Sequence, residues 1–387
     1  MTVKLFSGSR AVGTVLSFLL IAIGTVRAEA GAREYWISTN RMTFNLGTSN
    51  NPFNGSTQYK FDTAMNWIPA HSIIHIMPGT YQTKGLYGGY SIKTGQKLAG
   101  SGMDVTILKF PLGLRVGGSG AVMIGCNQPV TDSEVCDLTC DCNRSNRFDT
   151  YSGVELAGTH NAVRRVKVIN CAHFGGNTEA WGIELSDFAP MVVKSEGNII
   201  EQCEVSHFNY AGGGGISAIT ISDGSGIIRS NRVILDGGSF GLNGSWNHDV
   251  LIEGNFVEAA VSGLHGDTGG STNVIVIHNT FKDCNAVCDF GNTFRRNLTF
   301  AFNDIVVSNT CYPKQALGFA FRDDHGGAYA NILILGNRVG YSASPGSTEN
   351  DFVYARNVSG LVMADNVVDS HLTNDITKCS NVNESRF

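Results

Sequence analysis

The sequence of 387 residues contains little charge and little proline: 16% of its residues are Asp, Glu, Lys or Arg, and 8 are Pro. Low charge combined with 42% apolar residues excludes a disordered chain, which would carry more charge and fewer apolar residues. A coiled coil is excluded because it needs Ala, Glu, Lys and Leu in bulk. The formal charge of −5 comes without basic runs, so we expect neither nucleic acid nor an anionic membrane surface as a partner.

Long hydrophobic runs are absent after the first thirty residues. Lys4 and Arg10 precede an apolar run over 12–26, and residues 28–30 (Ala-Glu-Ala) have the small-x-small pattern of a signal-peptidase site. The run is shorter than a membrane span of about 20 residues, and an uncleaved anchor is the alternative. We predict a signal peptide at 1–30, no membrane contact after its cleavage, and a secreted or periplasmic protein.

The ten cysteines lack the spacing of a metal site. Cys136, Cys140 and Cys142 form a cluster, but no second cluster has zinc-ligand spacing, and the pair Cys284 and Cys288 does not supply one. Disulfides are more common than free thiols in exported proteins. The sequence therefore predicts disulfides and leaves their connectivity open.

Glycine and asparagine are abundant, and both favour turns. Six asparagines recur at three equal intervals followed by two longer ones: Asn231, Asn255, Asn279, Asn303, Asn337 and Asn366. Apolar residues lie three positions before these asparagines and two positions after them, and also five positions before each of them except Asn231. A period of two is typical of a strand. Each repeat is therefore a short strand, an Asn corner and another short strand.

Parallel strands joined by corners alone stack as the coils of a β-solenoid, and no segment between them has a pattern long enough for a crossover helix. We expect the corner asparagines to hydrogen-bond to their counterparts in neighbouring coils. The open end of a solenoid must be covered. A capping helix is predicted between Ser56, its N-cap, and Pro69. The predicted organisation is an irregular segment at 31–55, a β-helix domain at 56–375 and a C-terminal tail at 376–387.

Four runs of the sequence resemble one protein family: 60–64 (KFDTA), 74–81 (IHIMPGTY), 98–102 (LAGSG) and 331–337 (NILILGN). They are similar to segments of secreted right-handed parallel β-helix proteins of the pectin-lyase-like superfamily. The resemblance covers most of 60–375 and implies an all-β fold, a single-stranded right-handed parallel β-helix (β-solenoid) with an N-terminal capping helix. It implies no single activity, because the fold hosts lyases, hydrolases, epimerases and inert shafts.

Counting back from each Asn corner reaches another strand, in which two alternate positions per coil should face outward. In three neighbouring coils these positions carry titratable side chains. With the adjacent arginine, the candidate catalytic residues are His265, Asp267, Asp289, Arg322, Asp323 and His325. Because adjacent strands lie about 4.8 Å apart, His265 should lie beside Asp289, with Asp323 one coil further.

These side chains suit a lyase or glycoside hydrolase that acts on a uronic-acid-containing glycan. His265 would act as the base, and Arg322 would neutralise the carboxylate of the substrate. Asp289 and Asp323 would serve as further carboxylates, or would bind calcium together with Asp267. No nucleotide-binding glycine motif is present in the sequence, so calcium is the one cofactor left open.

Other interpretations of the same residues remain open. Residues 322–325 could form a solvated loop, in which a one-residue slip would turn Arg322 and Asp324 outward instead of Asp323 and His325. The Asp-x-His pattern at 323–325 is similar to the Asp-Pro-His core of β-helix mannuronan epimerases, with Asp324 in place of Pro. The alternatives to a cleaving enzyme are therefore a uronate C-5 epimerase and a non-catalytic carbohydrate-binding or surface β-helix protein.

Overall fold

The computed structural model describes residues 32–40, 45–114, 120–143, 151–173, 180–186, 195–207, 209–210, 216–236, 238–243, 247–266, 270–290, 294–308, 316–322, 328–342 and 350–385. The predicted signal peptide at 1–30 lies outside the described residues. Within those residues, no helix is both long enough and apolar enough to cross a membrane.

The described chain consists of short strands and one helix, α1, at Gln58–Trp67. The strands in chain order are β1 Arg33–Ser38, β2 Phe53–Asn54, β3 Ser72–Ile76, β4 Gly79–Gln82, β5 Lys97–Ala99, β6 Thr106–Lys109, β7 Ala121–Gly125, β8 Val130–Thr131, β9 Glu134–Asp141, β10 Tyr151–Thr159, β11 Ala162–Ile169, β12 Ala172–His173, β13 Ala180–Ser186, β14 Ser195–Glu201, β15 Glu204–Ser206, β16 Asn209–Tyr210, β17 Ile216–Ile221, β18 Gly224–Arg229, β19 Arg232–Ile234, β20 Phe240–Asn243, β21 His248–Glu253, β22 Phe256–Glu258, β23 Ser262–Gly266, β24 Ser271–Ile277, β25 Thr280–Cys284, β26 Ala286–Phe290, β27 Arg295–Ala301, β28 Asp304–Ser308, β29 Ala316–Phe321, β30 Tyr329–Leu335, β31 Arg338–Ser342, β32 Asn350–Arg356, β33 Val358–Ala364, β34 Val367–Val368, β35 Thr373–Thr377 and β36 Asn383–Ser385.

The strands pair in parallel with their counterparts in the preceding and following coils, which produces three ladders. The first ladder contains β7, β10, β13, β17, β20, β23, β26, β29, β32 and β35. The second contains β3, β5, β9, β11, β14, β18, β21, β24, β27, β30, β33 and β36. The third contains β4, β6, β9, β11, β15, β19, β22, β25, β28, β31 and β34. Strands β9 and β11 are long enough to belong to both the second and the third ladder. This arrangement confirms the predicted parallel β-helix.

The interior of the coils is apolar where the repeat pattern predicts it. The residues three positions before the Asn corners are at most 4% exposed: Ile228, Ile252, Val276, Phe300, Ile334 and Met363. Those side chains stack directly above one another, because the strands pair without a shift at these positions. One continuous core therefore runs through successive coils.

The corner asparagines form the predicted ladder of hydrogen bonds. The Asn279 side-chain oxygen accepts from the backbone N–H and the side-chain Nδ2 of Asn255, both at 2.9 Å. The Asn279 Nδ2 donates to the carbonyl oxygen of Ile252 at 2.9 Å and to the Asn303 side-chain oxygen at 3.1 Å. The same pattern recurs from Asn231 to Asn366. Each side chain thus satisfies backbone groups that the turn would otherwise leave buried and unpaired.

A second asparagine row lies on the outer surface of the second ladder, where the sequence pattern did not reveal it. Asn297 donates from Nδ2 to the Asn273 side-chain oxygen at 2.8 Å, and Asn331 donates in the same way to Asn297 at 3.0 Å. The φ angles of Asn273, Asn297 and Asn331 are 56°, 55° and 58°. Asparagine tolerates this left-handed conformation better than most residues, which explains why it occurs there.

The N-terminal segment differs from the prediction in two respects. Residues 31–55 were expected to be irregular, but β1 and β2 pair in parallel there, with Ile37 opposite Phe53. The N-cap of α1 is Thr57, not Ser56, because the Thr57 side chain accepts from the Lys60 backbone N–H at 3.4 Å. The predicted apolar face of the helix is buried against the first coil.

The C-terminal tail also takes part in the fold. Residues 376–387 were predicted to lie beyond the β-helix, yet β36 pairs with β33 and adds another rung to the second ladder. Strand β35 likewise pairs with β32 in the first ladder and runs past the predicted boundary. The described part of the tail therefore extends the β-helix.

The predicted disulfides are not confirmed. No disulfide joins any two of the nine described cysteines, and eight of the nine are buried. Seven of them belong to the apolar core of the coils, where a cysteine packs as a small apolar residue. Burial raises the pKa of the Cys140 and Cys288 thiols well above the usual value, so both stay protonated.

Candidate functional site

The outward face of the first ladder carries one continuous row of paired residues, which we call the outer row. Each member lies opposite the next in register, over nine coils: Glu155, Glu184, Thr220, Asn243, His265, Asp289, Ala320, Tyr354 and Asp375. At about 4.8 Å per coil, the row is about 38 Å long. The neighbouring positions Leu264, Cys288 and Phe319 are fully buried. The outer row therefore lies on the opposite side of the strands from these core positions and is largely polar, although its members Thr220 and Ala320 are also fully buried.

His265 and Asp289 occupy adjacent coils of the outer row, as the sequence predicted. They are directly opposite each other in the pairing of β23 with β26. The imidazole ring of His265 stacks on the Phe240 ring, with 3.7 Å between centroids and an interplanar angle of 3°. This stacking fixes the plane of the imidazole.

Arg322 binds Asp289 across the outer row. The Arg322 Nε atom lies 2.9 Å from the Asp289 Oδ1 atom, and the two side chains are 26% and 28% exposed. The backbone carbonyl of Arg322 accepts from the Tyr329 hydroxyl at 3.0 Å, which anchors the end of β29. The ion pair thus holds the Arg322 guanidinium against Asp289, the residue that lies opposite His265.

The register at Asp323 differs from the prediction. Ala320, not Asp323, lies opposite Asp289. Asp289 and Ala320 lie at different distances along the chain from their corners, Asn303 and Asn337, and the distance is three residues longer for Ala320. Counting back from the corner therefore gives the wrong residue in this longer coil. Arg322 is two positions after Ala320 and therefore lies on the same side of the chain. This agrees with the alternative interpretation, in which a one-residue slip in register turns Arg322 outward.

Three of the candidate residues, Asp267, Asp323 and His325, lie outside the described residues. Among those that the structure describes, no group of three His, Cys, Asp or Glu side chains is placed to hold a metal ion. Asp289 is the described member of the predicted calcium set, and its carboxylate forms an ion pair with Arg322. Calcium binding therefore stays a prediction.

The sequence interpretation missed two acidic residues at the other end of the outer row. Glu155 on β10 and Glu184 on β13 are direct partners in register. Burial raises the pKa of Glu155 to about 7, although a hydrogen bond with Ser152 opposes the shift. The repeated strings 153–156 (GVEL) and 182–185 (GIEL) were a visible signal of equivalent positions.

The C-terminal end of the row is held by a bidentate ion pair. Arg356 donates from Nη1 and Nη2 to the two carboxylate oxygens of Asp375, at 2.9 and 2.5 Å. The Arg356 guanidinium also lies over the Tyr354 ring, 4.1 Å from its centroid. Because Arg356 stabilises the ionised carboxylate, it lowers the pKa of Asp375.

Comparison with solved structures identifies the fold. A mutant of the tailspike protein of E. coli bacteriophage HK620, solved in complex with a pentasaccharide, is 11% identical, with a TM-score of 0.57 over 97% of this chain and 67% of that chain. The fold is the right-handed parallel β-helix. The resemblance inferred from the sequence is thus confirmed at the level of the fold, which at 11% identity is all that the similarity shows.

Two β-helix enzymes are also similar in structure. An exopolygalacturonase from Thermotoga maritima is 13% identical, with a TM-score of 0.48 over 82% of this chain and 85% of that chain. The pectate lyase Pel9A is 17% identical, with a TM-score of 0.47 over 85% of this chain and 78% of that chain. No protein-family model matches the chain, and no curated protein matches it.

Proposed function

We propose that this β-helix is a polysaccharide lyase that cleaves a uronic-acid-containing glycan lying along the outer row. The observation that supports the proposal most directly is the alignment of His265, Asp289 and Arg322 on one outward surface. An extended polymer needs an extended surface, and the outer row, in which Thr220 and Ala320 are buried, spans about 38 Å at the spacing of parallel strands.

β-Elimination needs a base and a cation, and this surface carries both. His265 would take the proton beside the uronate carboxylate, the electron pair would form the new double bond, and the glycosidic oxygen would leave and be protonated. Arg322 would neutralise the carboxylate as negative charge develops next to it. Asp289 would hold the guanidinium in place, and Phe240 would hold the imidazole plane.

The reaction type can be tested with the mature protein and a panel of acidic and neutral polysaccharides. Unsaturated products, new reducing ends and epimer content are measured separately. We expect unsaturated products from an acidic glycan and none from neutral glycans. Glycan binding without any product would contradict the proposal and favour the non-catalytic carbohydrate-binding β-helix, whereas changed epimer content without cleavage would favour the C-5 epimerase.

A glycoside hydrolase is the second candidate, and the pair Glu155 and Glu184 favours it. The Cα atoms of paired residues on parallel strands are about 4.8 Å apart, which suits the short carboxyl separation of about 5 Å in retaining glycosidases. With a pKa of about 7, about half of the Glu155 side chains would be protonated at pH 7, and the protonated form would act as the general acid. Glu184 would then act as the nucleophile.

The hydrolase candidate predicts a specific pH dependence. Because burial raises the Glu155 pKa to about 7, the active acid is present below that pH and is lost as the pH rises through it. We expect kcat/KM for the release of reducing ends to fall above about pH 7. In Glu155→Gln the remaining activity should lack this decline.

Glu253→Gln is the matched control for that experiment, because Glu253 is a partly buried glutamate on the second ladder, away from the outer row. Its pH profile should equal that of the unmodified protein. If the decline above pH 7 persists in Glu155→Gln, Glu155 does not act as the acid.

A further inference from the structure

Two buried cysteines on successive coils are close enough to bond. The Sγ atoms of Cys142 and Cys171 lie 3.4 Å apart. Both residues are fully buried. Cys142 directly follows β9 and Cys171 follows β11, and these two strands are paired along almost their whole length. The backbone N–H of Cys142 also donates to the carbonyl oxygen of Ile169 at 2.9 Å. The two thiols are therefore held against each other by the ladder itself.

Other described cysteines have different surroundings. The Sγ atom of Cys126 contacts the backbone of Ala157, accepting from its N–H at 3.2 Å. The Sγ atom of Cys284 contacts the carbonyl oxygen of Lys282 at 3.6 Å. These contacts with the backbone leave each sulfur packed as an apolar side chain. The Cys142 and Cys171 sulfurs, in contrast, face one another.

We propose that Cys142 and Cys171 form a disulfide that joins two successive coils when the chain folds in an oxidising compartment. The two thiols lose two protons and two electrons, and a sulfur–sulfur bond forms. A small-molecule disulfide such as oxidised glutathione accepts the electrons, through a mixed disulfide that the second thiol resolves, and is released as two thiols. Closing the gap from 3.4 Å to a bond of about 2.05 Å takes only a small movement of the side chains.

The order of events follows from burial. Only the thiolate attacks a disulfide, and burial raises the pKa of the Cys142 thiol well above its usual value. We therefore expect the bond to form while the coils are still open and to resist reductants once they have closed. A reductant added to the folded protein should react slowly at this site, and much faster after denaturation.

The cross-link would brace the coils that carry the acidic pair. Cys142 lies shortly before Tyr151, the first residue of β10, which carries Glu155. Cys171 Sγ is 3.9 Å from the backbone oxygen of Trp181 on β13, which carries Glu184. The bond would thus join Cys142 to a residue whose sulfur contacts β13 directly. This inference does not depend on which reaction the protein catalyses.

The test uses the full chain refolded with a mixture of oxidised and reduced glutathione. The protein is denatured, its remaining thiols are alkylated, and its peptides are mapped by mass spectrometry with and without reduction. We expect one linked peptide pair containing Cys142 and Cys171, a mass lower by about 2 Da for the two lost hydrogens, and a melting temperature about 5 °C above that of the reduced protein.

Substitutions make the result specific. Cys142→Ser should release Cys171 for alkylation and remove the melting-temperature difference, while Cys126→Ser should leave the linked pair unchanged. If a serine variant does not fold, the peptide map of the unmodified protein still decides the question. Alkylation of both Cys142 and Cys171 in the refolded protein, or their linkage to other cysteines, would overturn the proposal.

Discussion

His265→Gln is expected to lower kcat/KM for the acidic glycan by about 10²–10⁴-fold, because the substitution removes the base that takes the proton. Glutamine keeps a planar polar side chain beside Phe240, whose ring lies 3.7 Å from the imidazole, so the coil should stay intact. Initial rates are measured on the glycan that yields unsaturated products. Far-ultraviolet circular dichroism checks that the variant is folded.

His248→Gln is the matched control, since His248 lies on the second ladder with a 39% exposed side chain, outside the outer row. Its kcat/KM should equal that of the unmodified protein. Full elimination activity in folded His265→Gln would remove His265 from the mechanism. It would also leave the lyase proposal without its base, whereas hydrolytic activity that depends on Glu155 would then favour the second candidate.

Asn279→Ala is expected to reduce the free energy of unfolding by about 3 kcal/mol or more, because each buried polar group left unpaired costs about 1–3 kcal/mol. The substitution removes the acceptor of the Asn255 backbone N–H and the donor to the Ile252 carbonyl oxygen. Both groups lie in the interior, where water does not replace the lost partner. Urea denaturation followed by circular dichroism measures the change.

The outer asparagine row provides the comparison for that substitution. Asn297→Gly removes two side-chain hydrogen bonds of the same kind, but at an exposed position. Glycine tolerates the φ of 55° at this residue, so backbone strain does not contribute to the change in the free energy of unfolding. We expect a change within about 0.5 kcal/mol. Equal losses at the two positions would show that burial of the Asn ladder is not what makes it stabilising.

Much of the fold could be predicted from local patterns. The equal spacing of Asn231, Asn255, Asn279 and Asn303 places one residue type at one corner, and the apolar residues three positions earlier are buried as expected. This worked because a corner must satisfy the same backbone groups in every coil. The strands in 31–55 and after 376 were missed, since short edge strands have too few residues to show a period.

The candidate site was predicted only where the coil length stays constant. His265 and Asp289 belong to coils of equal length, so counting from the corner placed them correctly opposite each other. The next coil is longer, and part of the added chain lies between β29 and the corner, so Ala320 rather than Asp323 follows Asp289. Glu155 and Glu184 precede the Asn ladder, so the same count could not reach them.

The sequence by itself determined the repeat, the strand–corner–strand unit and the buried face of each strand, because these depend on residues that are close in the chain. Only the tertiary structure decided which side chains of different coils become neighbours. That pairing depends on the length of the turns between strands, because extra residues in one turn change which residues of that coil lie opposite the preceding coil. The ion pair of Asp289 with Arg322, the pair of Glu155 and Glu184, and the contact of Cys142 with Cys171 all arise in this way.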